Sequence, residues 1–208
     1  MKKTLVLLTI STAVLFTACK KDKKESSNVN YVLQTQNASA GIVQWTGGIA
    51  NVTSVSFKGA TGTPLTTTVN KSDNLFTSTA AVGGVSVPVG SLTSLDYEVA
   101  LQSGGNGPAL HFDGSFNDGT ATVPVSLDVT DNVTLKGLKD AMTTSNGASY
   151  TASFSLDLNA MMQGVAASDL TAAEQNGSVL ISSSSNANLY SIILNNITTG
   201  ENLSFQIQ

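Results

Sequence analysis

The chain has no arginine and only one cysteine (Cys19), one histidine (His111) and one tryptophan (Trp45). Each scarcity removes a class of chemistry. Without arginine there is no guanidinium fork to clamp a phosphate or a carboxylate in bidentate fashion. From Val29 onward the only cations are Lys58, Lys71, Lys136 and Lys139, against twelve carboxylates, a net charge near −8. Nucleic-acid binding needs clustered positive charge to displace counterions, so no nucleic acid is expected as a partner. A lone cysteine rules out an internal disulfide. With a single histidine beside it, there is no nitrogen–sulfur set to hold zinc, and neither a metal nor any other cofactor is expected. A membrane-spanning run is missing too. The uncharged stretch Leu5 to Phe16 has 12 residues, short of the about 20 that cross a hydrocarbon core.

What that stretch does fit is a secretory signal. Lys2 and Lys3 form a basic start, Leu5 to Phe16 the apolar centre, and Phe16-Thr17-Ala18-Cys19 the end. Small residues just ahead of a cysteine resemble the lipobox read by lipoprotein signal peptidase, with Phe16 where a strict lipobox has Leu. The resemblance implies cleavage before Cys19 and lipid, palmitate among it, on that cysteine. One acyl chain holds a protein only marginally, so stable anchoring takes two or three. The segment Lys20 to Ser27 is charged, lacks large apolar residues and reads as a tether. The division expected is 1–18 signal peptide, 19–28 charged tether and 29–208 one domain, long enough for a sizeable core. The Cys19-Lys20-Lys21-Asp22 start resembles lipoproteins of Bacteroidota, in which a charged stretch after the cysteine can direct export to the cell surface. The resemblance implies an exported protein held to the outer membrane.

Ser, Thr and Asn make up about a third of the domain, and short alternating apolar runs between glycines point to strands and turns. Strands are expected around Val29 to Leu33, Ile42 to Trp45 (ended by Gly47-Gly48), Ile49 to Lys58, Leu65 to Val69 and Asn74 to Val82. Val85 to Gly90 is a short one that Pro88 places at an edge or a strand end. Leu95, Tyr97, Val99 and Leu101 alternate best, and Ser103 to Pro108 should then reverse the chain. Asp118-Gly119 between Leu110–Phe116 and Val123–Val129 is a hairpin signal, repeated by Asn146-Gly147 ahead of Tyr150 to Leu158. Two short helices are expected: one opening on Thr171-x-x-Glu174 with Gly177 as its stop, the other capped by Asn186 with Leu189, Ile192, Ile193 and Ile197 on one face. Leu203, Phe205 and Ile207 make a closing strand. The fold class is mostly β, an antiparallel β-sandwich with one or two short helices near the C-terminus, a closed barrel being the alternative. Trp45-Thr46-Gly47, Leu180-Ile181-Ser182 and Asn188-Leu189-Tyr190 give the domain a resemblance to Bacteroidota lipoprotein domains with a transthyretin-like or immunoglobulin-like sandwich. That resemblance brings no activity with it.

His111 alternates with Leu110 and Phe112 and shares a face with Asp113, but no G-x-S-x-G elbow supplies a nucleophile. Asp113 to Gly119 has the flavour of a calcium loop, yet its glycine comes one place late and Pro124 stands where a bidentate Glu is needed. Asp96 and Glu98 form an acidic solvent face. Gly83-Gly84 and Gly104-Gly105 read as turn glycines, without the strand-to-helix context of a phosphate site. Sugar sites use aromatic platforms, and among Trp45, Tyr31, Tyr97, Tyr150 and Tyr190 the one read as a ligand contact is Trp45. The expectation is a non-enzymatic binding or scaffolding module, held to the membrane through lipid on Cys19, with a glycan or a protein as partner. The alternatives are a carbohydrate-binding accessory subunit of a glycan uptake system, which needs an exposed Trp45, and a pilin-like or adhesin subunit completed by a donated strand.

Overall fold

The computed structural model describes residues 25–60, 62–77, 79–105, 107–200 and 202–208. The expected signal segment, Cys19 and the expected tether up to residue 24 lie outside them. Along the chain run β1 (Ser26–Gln36), β2 (Gln44–Lys58), β3 (Leu65–Asn74), β4 (Gly83–Pro88), β5 (Gly90–Leu101), β6 (Leu110–Asn117), β7 (Thr122–Val129), β8 (Val133–Thr144) and β9 (Ser149–Asp157). Then come α1 (Leu158–Met161), α2 (Ala167–Ala173), β10 (Val179–Ser182), α3 (Ala187–Thr199) and β11 (Leu203–Ile207). The strands form a four-stranded sheet, β11-β9-β1-β4, and a seven-stranded one, β10-β7-β6-β2-β5-β8 with β3 also on β2. The fold is mostly β, two sheets packed as a sandwich, with three short helices toward the C-terminus. Pairing is antiparallel except for β1 with β9 and β7 with β10, which are parallel.

The long strand β2 organises the larger sheet. One edge pairs with β3 from Ile49 to Phe57. The other carries β6 from Gln44 to Ala50 and β5 from Val52 to Lys58. β5 and β6 therefore run in the same direction, end to end, and residues 102–109 loop out between them. β8 and β7 repeat the arrangement on their far side, Leu101 facing Val133 and Leu110 facing Val129. Asn51 sits opposite the break. Its backbone N–H donates to Ala109 O at 2.9 Å, and its carbonyl accepts from Gln102 N at 3.1 Å. Its buried side chain donates to Pro108 O at 2.6 Å and accepts from the Ser72 hydroxyl. Both backbone groups of Asn51 are thus paired where the partner strand of β2 changes, as burial of the residue requires.

The core lies between the sheets and takes the inward residue of each alternating pair. Aromatic rings cross from sheet to sheet at its centre. Tyr31 of β1 and Phe205 of β11 lie 6.4 and 5.1 Å from Tyr97 of β5, and Phe57 of β2 meets Tyr97 edge-on at 5.3 Å. The Tyr31 hydroxyl donates across the gap to Ser56 O at 2.6 Å. Burial raises the Tyr31 pKa well above the ordinary tyrosine value, with Tyr97 and Glu98 adding to it, and burial pushes Tyr97 up to about 12. Gly137 of β8 makes room for this cluster, because a Cβ there would overlap the Phe205 ring.

Several sequence expectations are met: the β6–β7 hairpin, Pro88 at the end of edge strand β4, and the closing strand β11. Others need correction. The tether yields to structure early, since β1 begins at Ser26. Gly47-Gly48 do not end a strand but sit at a register shift inside β2, the irregularity at which strand glycine is tolerated. Ser103 to Pro108 does not reverse the chain, because β6 resumes along the same edge of β2. No strand spans Asn74 to Val82: the Asn74 side chain accepts from the N–H of Phe76 and Thr77 and turns the backbone out of β3. Gly83-Gly84 open β4 instead of forming a turn. Asn146-Gly147 joins β8 to β9, which belong to different sheets, so it is a corner and not a hairpin. The first expected helix is α2, and it starts earlier than Thr171: Asp169 accepts from the Ala166 N–H at 2.8 Å and closes its first turn. Asn186 stands at the N-cap of α3, but its amide donates to Ala173 O and Leu180 O and so fixes the helix to its neighbours. The single turn α1, capped by the Asp157 carboxylate, carried no apolar periodicity to announce it.

Gly137→Ala is expected to lower the unfolding free energy by about 1–3 kcal/mol through overpacking. In a Phe205→Leu background the same change should cost measurably less, the non-additivity expected of residues in contact. Urea melts of the four proteins check this, and strict additivity would mean the ring and the glycine are not coupled.

Candidate functional site

The densest polar cluster lies on the outer face of the β6–β7 hairpin. The pairing sets His111 opposite Asp128 and Asp113 opposite Ser126, all four on the face away from Phe112 and Leu127. His111 Nδ1 is 2.6 Å from Asp128 Oδ1, and Nε2 is 2.9 Å from Asp113 Oδ2. Ser126 Oγ donates to the other Asp113 oxygen at 2.7 Å. The chain of contacts reads Ser126, Asp113, His111, Asp128. A neutral imidazole has one N–H and cannot donate to two carboxylates; the imidazolium can. Burial acts to lower the His111 pKa and is its largest single influence, but hydrogen bonds and charge from Asp128 and Asp113 together outweigh it and raise the pKa above 6.5. The Ser126 hydroxyl, followed by His111, holds Asp113 below the usual carboxylate value.

This order of groups settles what the cluster can do. In a nucleophilic triad the imidazole bridges serine and carboxylate; here a carboxylate bridges serine and imidazole, so the Ser126 hydroxyl meets Asp113 and not the imidazole. The two aspartates sit at opposite ends of the ring, and one cation cannot touch both together with a ring nitrogen. Among the described residues no group of three or more histidine, cysteine, aspartate or glutamate side chains is gathered to hold a metal ion. The stretch Asp113 to Gly119 is divided accordingly. Asp113 belongs to this network, while Asp118 closes the hairpin by accepting from the N–H of Thr120 and Ala121, both at 2.6 Å. The cluster is a cross-strand polar network whose two carboxylates favour the protonated form of His111. The sequence signal for half of it, His111 and Asp113 two apart on a strand, was visible; Asp128 and Ser126 join only through the register.

Trp45 does not lie on the surface. It is 4 % exposed, packs edge-on against Phe112 at 5.8 Å, and among the described residues its Nε1 has no hydrogen-bond partner. Gly114 across the ladder admits it, since a Cβ there would stand 3.0 Å from both the Trp45 Cα and its ring. The exposed platform that the glycan-accessory reading needs is not at Trp45. Tyr31 and Tyr97 are core as well, and Tyr150 is half-buried, with its hydroxyl donating to Thr143 O. Glu98 pairs with Lys136 at 3.0 Å. Cys19, expected to carry the lipid, lies outside the described residues.

Two adjoining clefts open where the chain joins β1. One, of about 330 Å³, is lined by Phe57, Leu65, Pro88 and Leu92 among others. The second, of about 230 Å³, shares Leu65 and Pro88 and reaches Glu25 and Ser26.

A group whose pKa is higher folded than unfolded stabilises the fold below its unfolded value, and that contribution disappears as pH rises through the folded one. Asp113, with a lowered pKa, contributes above its unfolded value and loses it on acidification. The network should therefore be strongest between roughly pH 4 and 6.5 and fade above. At pH 6, His111→Gln should cost about 0.5–1 kcal/mol, the scale of a solvent-screened pair, and the gap to wild type should close by pH 9. Urea midpoints across that range test it; a gap that stays constant would mean His111 is neutral throughout. The single tryptophan offers a second check: its emission should be blue-shifted and should not move when glycans are added. A red-shifted or glycan-sensitive band would put the indole at the surface.

No protein-family model, curated protein or solved structure was found to match the chain.

Proposed function

We propose that the chain is an exported lipoprotein, held to the outer membrane by lipid on Cys19, whose sandwich works as a non-enzymatic binding or scaffolding module. The observation that carries the reading is how the anchor would join the domain. β1 starts at Ser26, seven positions after Cys19, and seven extended residues span at most about 25 Å. β1 is an inner strand, paired with β4 over six positions and with β9, in parallel, over nine. A pull on the anchor loads those ladders along their length, so many hydrogen bonds share it at once. That suits a module tied down by its first strand. It also turns the end of the sandwich bearing Pro88, Leu65 and the Ser145–Gly147 corner toward the bilayer, and leaves the β6–β7 hairpin at the far end facing out. Among the described residues no helix is long and apolar enough to cross a membrane. The pilin-like alternative draws no support from the edge of β9, which the chain's own β11 already fills.

In the cell that makes it, the wild-type protein should sediment with membranes and enter the detergent phase on phase separation, whereas Cys19→Ala should leave both. Equal, soluble behaviour of the two would end the anchoring reading. Protease treatment of intact cells then distinguishes the two facings: loss of the protein places it on the cell surface, protection until the outer membrane is broken places it in the periplasm.

A further inference from the structure

The break between β5 and β6 leaves a cleft that the assignments above do not use. Three irregularities meet there at one level. Thr53 is an extra residue in β2 against β5, and at the same level the register shifts against β3, where the extra residue lies in β3, at residues 69–70. Opposite it, Asn70 of β3 takes a left-handed conformation, φ 52°. Beside it, residues 102–109 leave the sheet in a loop that Gly104 and Gly107 close with two mutual backbone hydrogen bonds of 2.9 Å. Strand bulges of this kind concentrate where a sheet re-aims side chains toward a site. The resulting cleft, about 320 Å³, is lined by Asn51, Val52, Thr53, Asn70, Lys71 and residues 102–105. That is near the lower bound of ligand pockets, about 300–1,000 Å³, room for one sugar-sized ring.

The chemistry of the lining selects a class. Val52 is its one large apolar residue, and no carboxylate lines it. Its cation is spent: Lys71 Nζ sits 3.2 Å from the Asp73 carboxylate, whose side chain is 3 % exposed, and also donates to Ala81 O at 3.4 Å. What remains is neutral and rich in paired donors and acceptors: the exposed amides of Asn70 and Gln102, the Thr53 and Ser103 hydroxyls, and the backbone of the Gly104-Gly105 turn. A side-chain amide offers an N–H donor and a carbonyl acceptor side by side, which matches adjacent hydroxyls. Several fixed points support the wall: Asn51 is held by Pro108 and Ser72, Thr53 Oγ1 donates to Ala100 O, and Ser103 Oγ donates to Thr130 O. We propose that this cleft binds a neutral, hydroxyl-rich small ligand, a single saccharide unit, through the amides of Asn70 and Gln102. The assignment deepens the binding half of the proposed function and is independent of the anchor.

The test is saturation-transfer NMR on the full chain in detergent micelles, with the methyl glycosides of glucose, galactose and N-acetylglucosamine as probes. The comparison protein carries Asn70→Gly, which keeps the left-handed backbone, together with Gln102→Ala at an exposed loop position. The expected result is saturable transfer from at least one glycoside, weakened about tenfold or more in the double variant, while both proteins melt alike. Absence of saturable transfer from all three, equal transfer in the two proteins, or displacement of the sugar by inorganic phosphate each overturns the proposal. Because membrane attachment is read out separately with Cys19→Ala, failure here leaves the anchored-module reading standing, and loss of the anchor leaves the cleft untouched.

Discussion

The larger sheet depends on one strand serving two ribbons. β2 is 15 residues long, and strands in a sheet rotate against their neighbours by about 20–25° each. An unbroken partner would have to keep register with that twist over the whole length. Here the partner is divided instead: β5 follows the second half of β2, β6 the first, and the chain leaves the sheet between them. The cost of a division is a backbone position with no ladder partner, which is severe when buried. Asn51 removes it with its own peptide group, which donates to the residue where β6 is about to begin and accepts from the residue just after β5 ends, while its side chain fastens Pro108 and Ser72. The same level is braced on the next ribbon, where the short link between β7 and β8 accepts from Ser103 at Thr130 and from Tyr190 at the Asp131 carboxylate. That hydroxyl is further from ionising than an ordinary tyrosine, burial being the main cause and the acceptor role of Asp131 the next.

The second dependence is on shape at the closing edge. β11 joins β9 by five pairs only, a short ladder that backbone bonding alone would hold weakly. Its hold is strengthened by Phe205, which reaches over bare Gly137 of the opposite sheet to touch Tyr97 and also meets Phe154 at 5.0 Å. One absent side chain in β8 thus lets a C-terminal strand of one sheet be clamped by the core of the other. The edges away from this contact carry polar interruptions: Lys71 on β3, Lys136 and Lys139 on β8, Pro88 on β4. Charged and proline-bearing edges resist pairing with other chains, which matters for a domain with so few charges.

What could be read in the sequence was whatever depends on period two. The inward residues of β5, β6, β7 and β9 are those that alternate, and Asp118-Gly119 marked its hairpin because only a tight reversal needs the glycine, here at φ 94°. What could not be read was which strand lies beside which. Gly47-Gly48 and residues 103–108 have the composition of turns, but a bulge and a looped-out insertion use the same residues while the strand direction is kept. Asn146-Gly147 makes as good a corner between sheets as a hairpin within one. The site suffers in the same way. His111 and Asp113 share a face by spacing, yet their partners lie 13 and 17 positions away and are found only through register. The lone tryptophan looked like a platform because its burial is decided by a ladder neighbour, Gly114, that no local pattern connects to it.

Charge scarcity connects the remaining features. Four lysines serve a domain of twelve carboxylates, and two of them, with the His111 imidazole, stand against carboxylates: Lys71 on buried Asp73, Lys136 on Glu98, His111 between Asp113 and Asp128. Solubility and specificity must then come from hydroxyls and amides, and these have a second consequence. Neutral polar groups cost little to expose and lose little when a neutral polar ligand replaces water, whereas a charged site would hold its own hydration more tightly. At the β5–β6 break such groups line a concavity whose one cation is already paired, and backbone departures at Thr53 and Asn70 keep it open. The device that lets β2 carry two ribbons is therefore also what gives this sheet a polar recess.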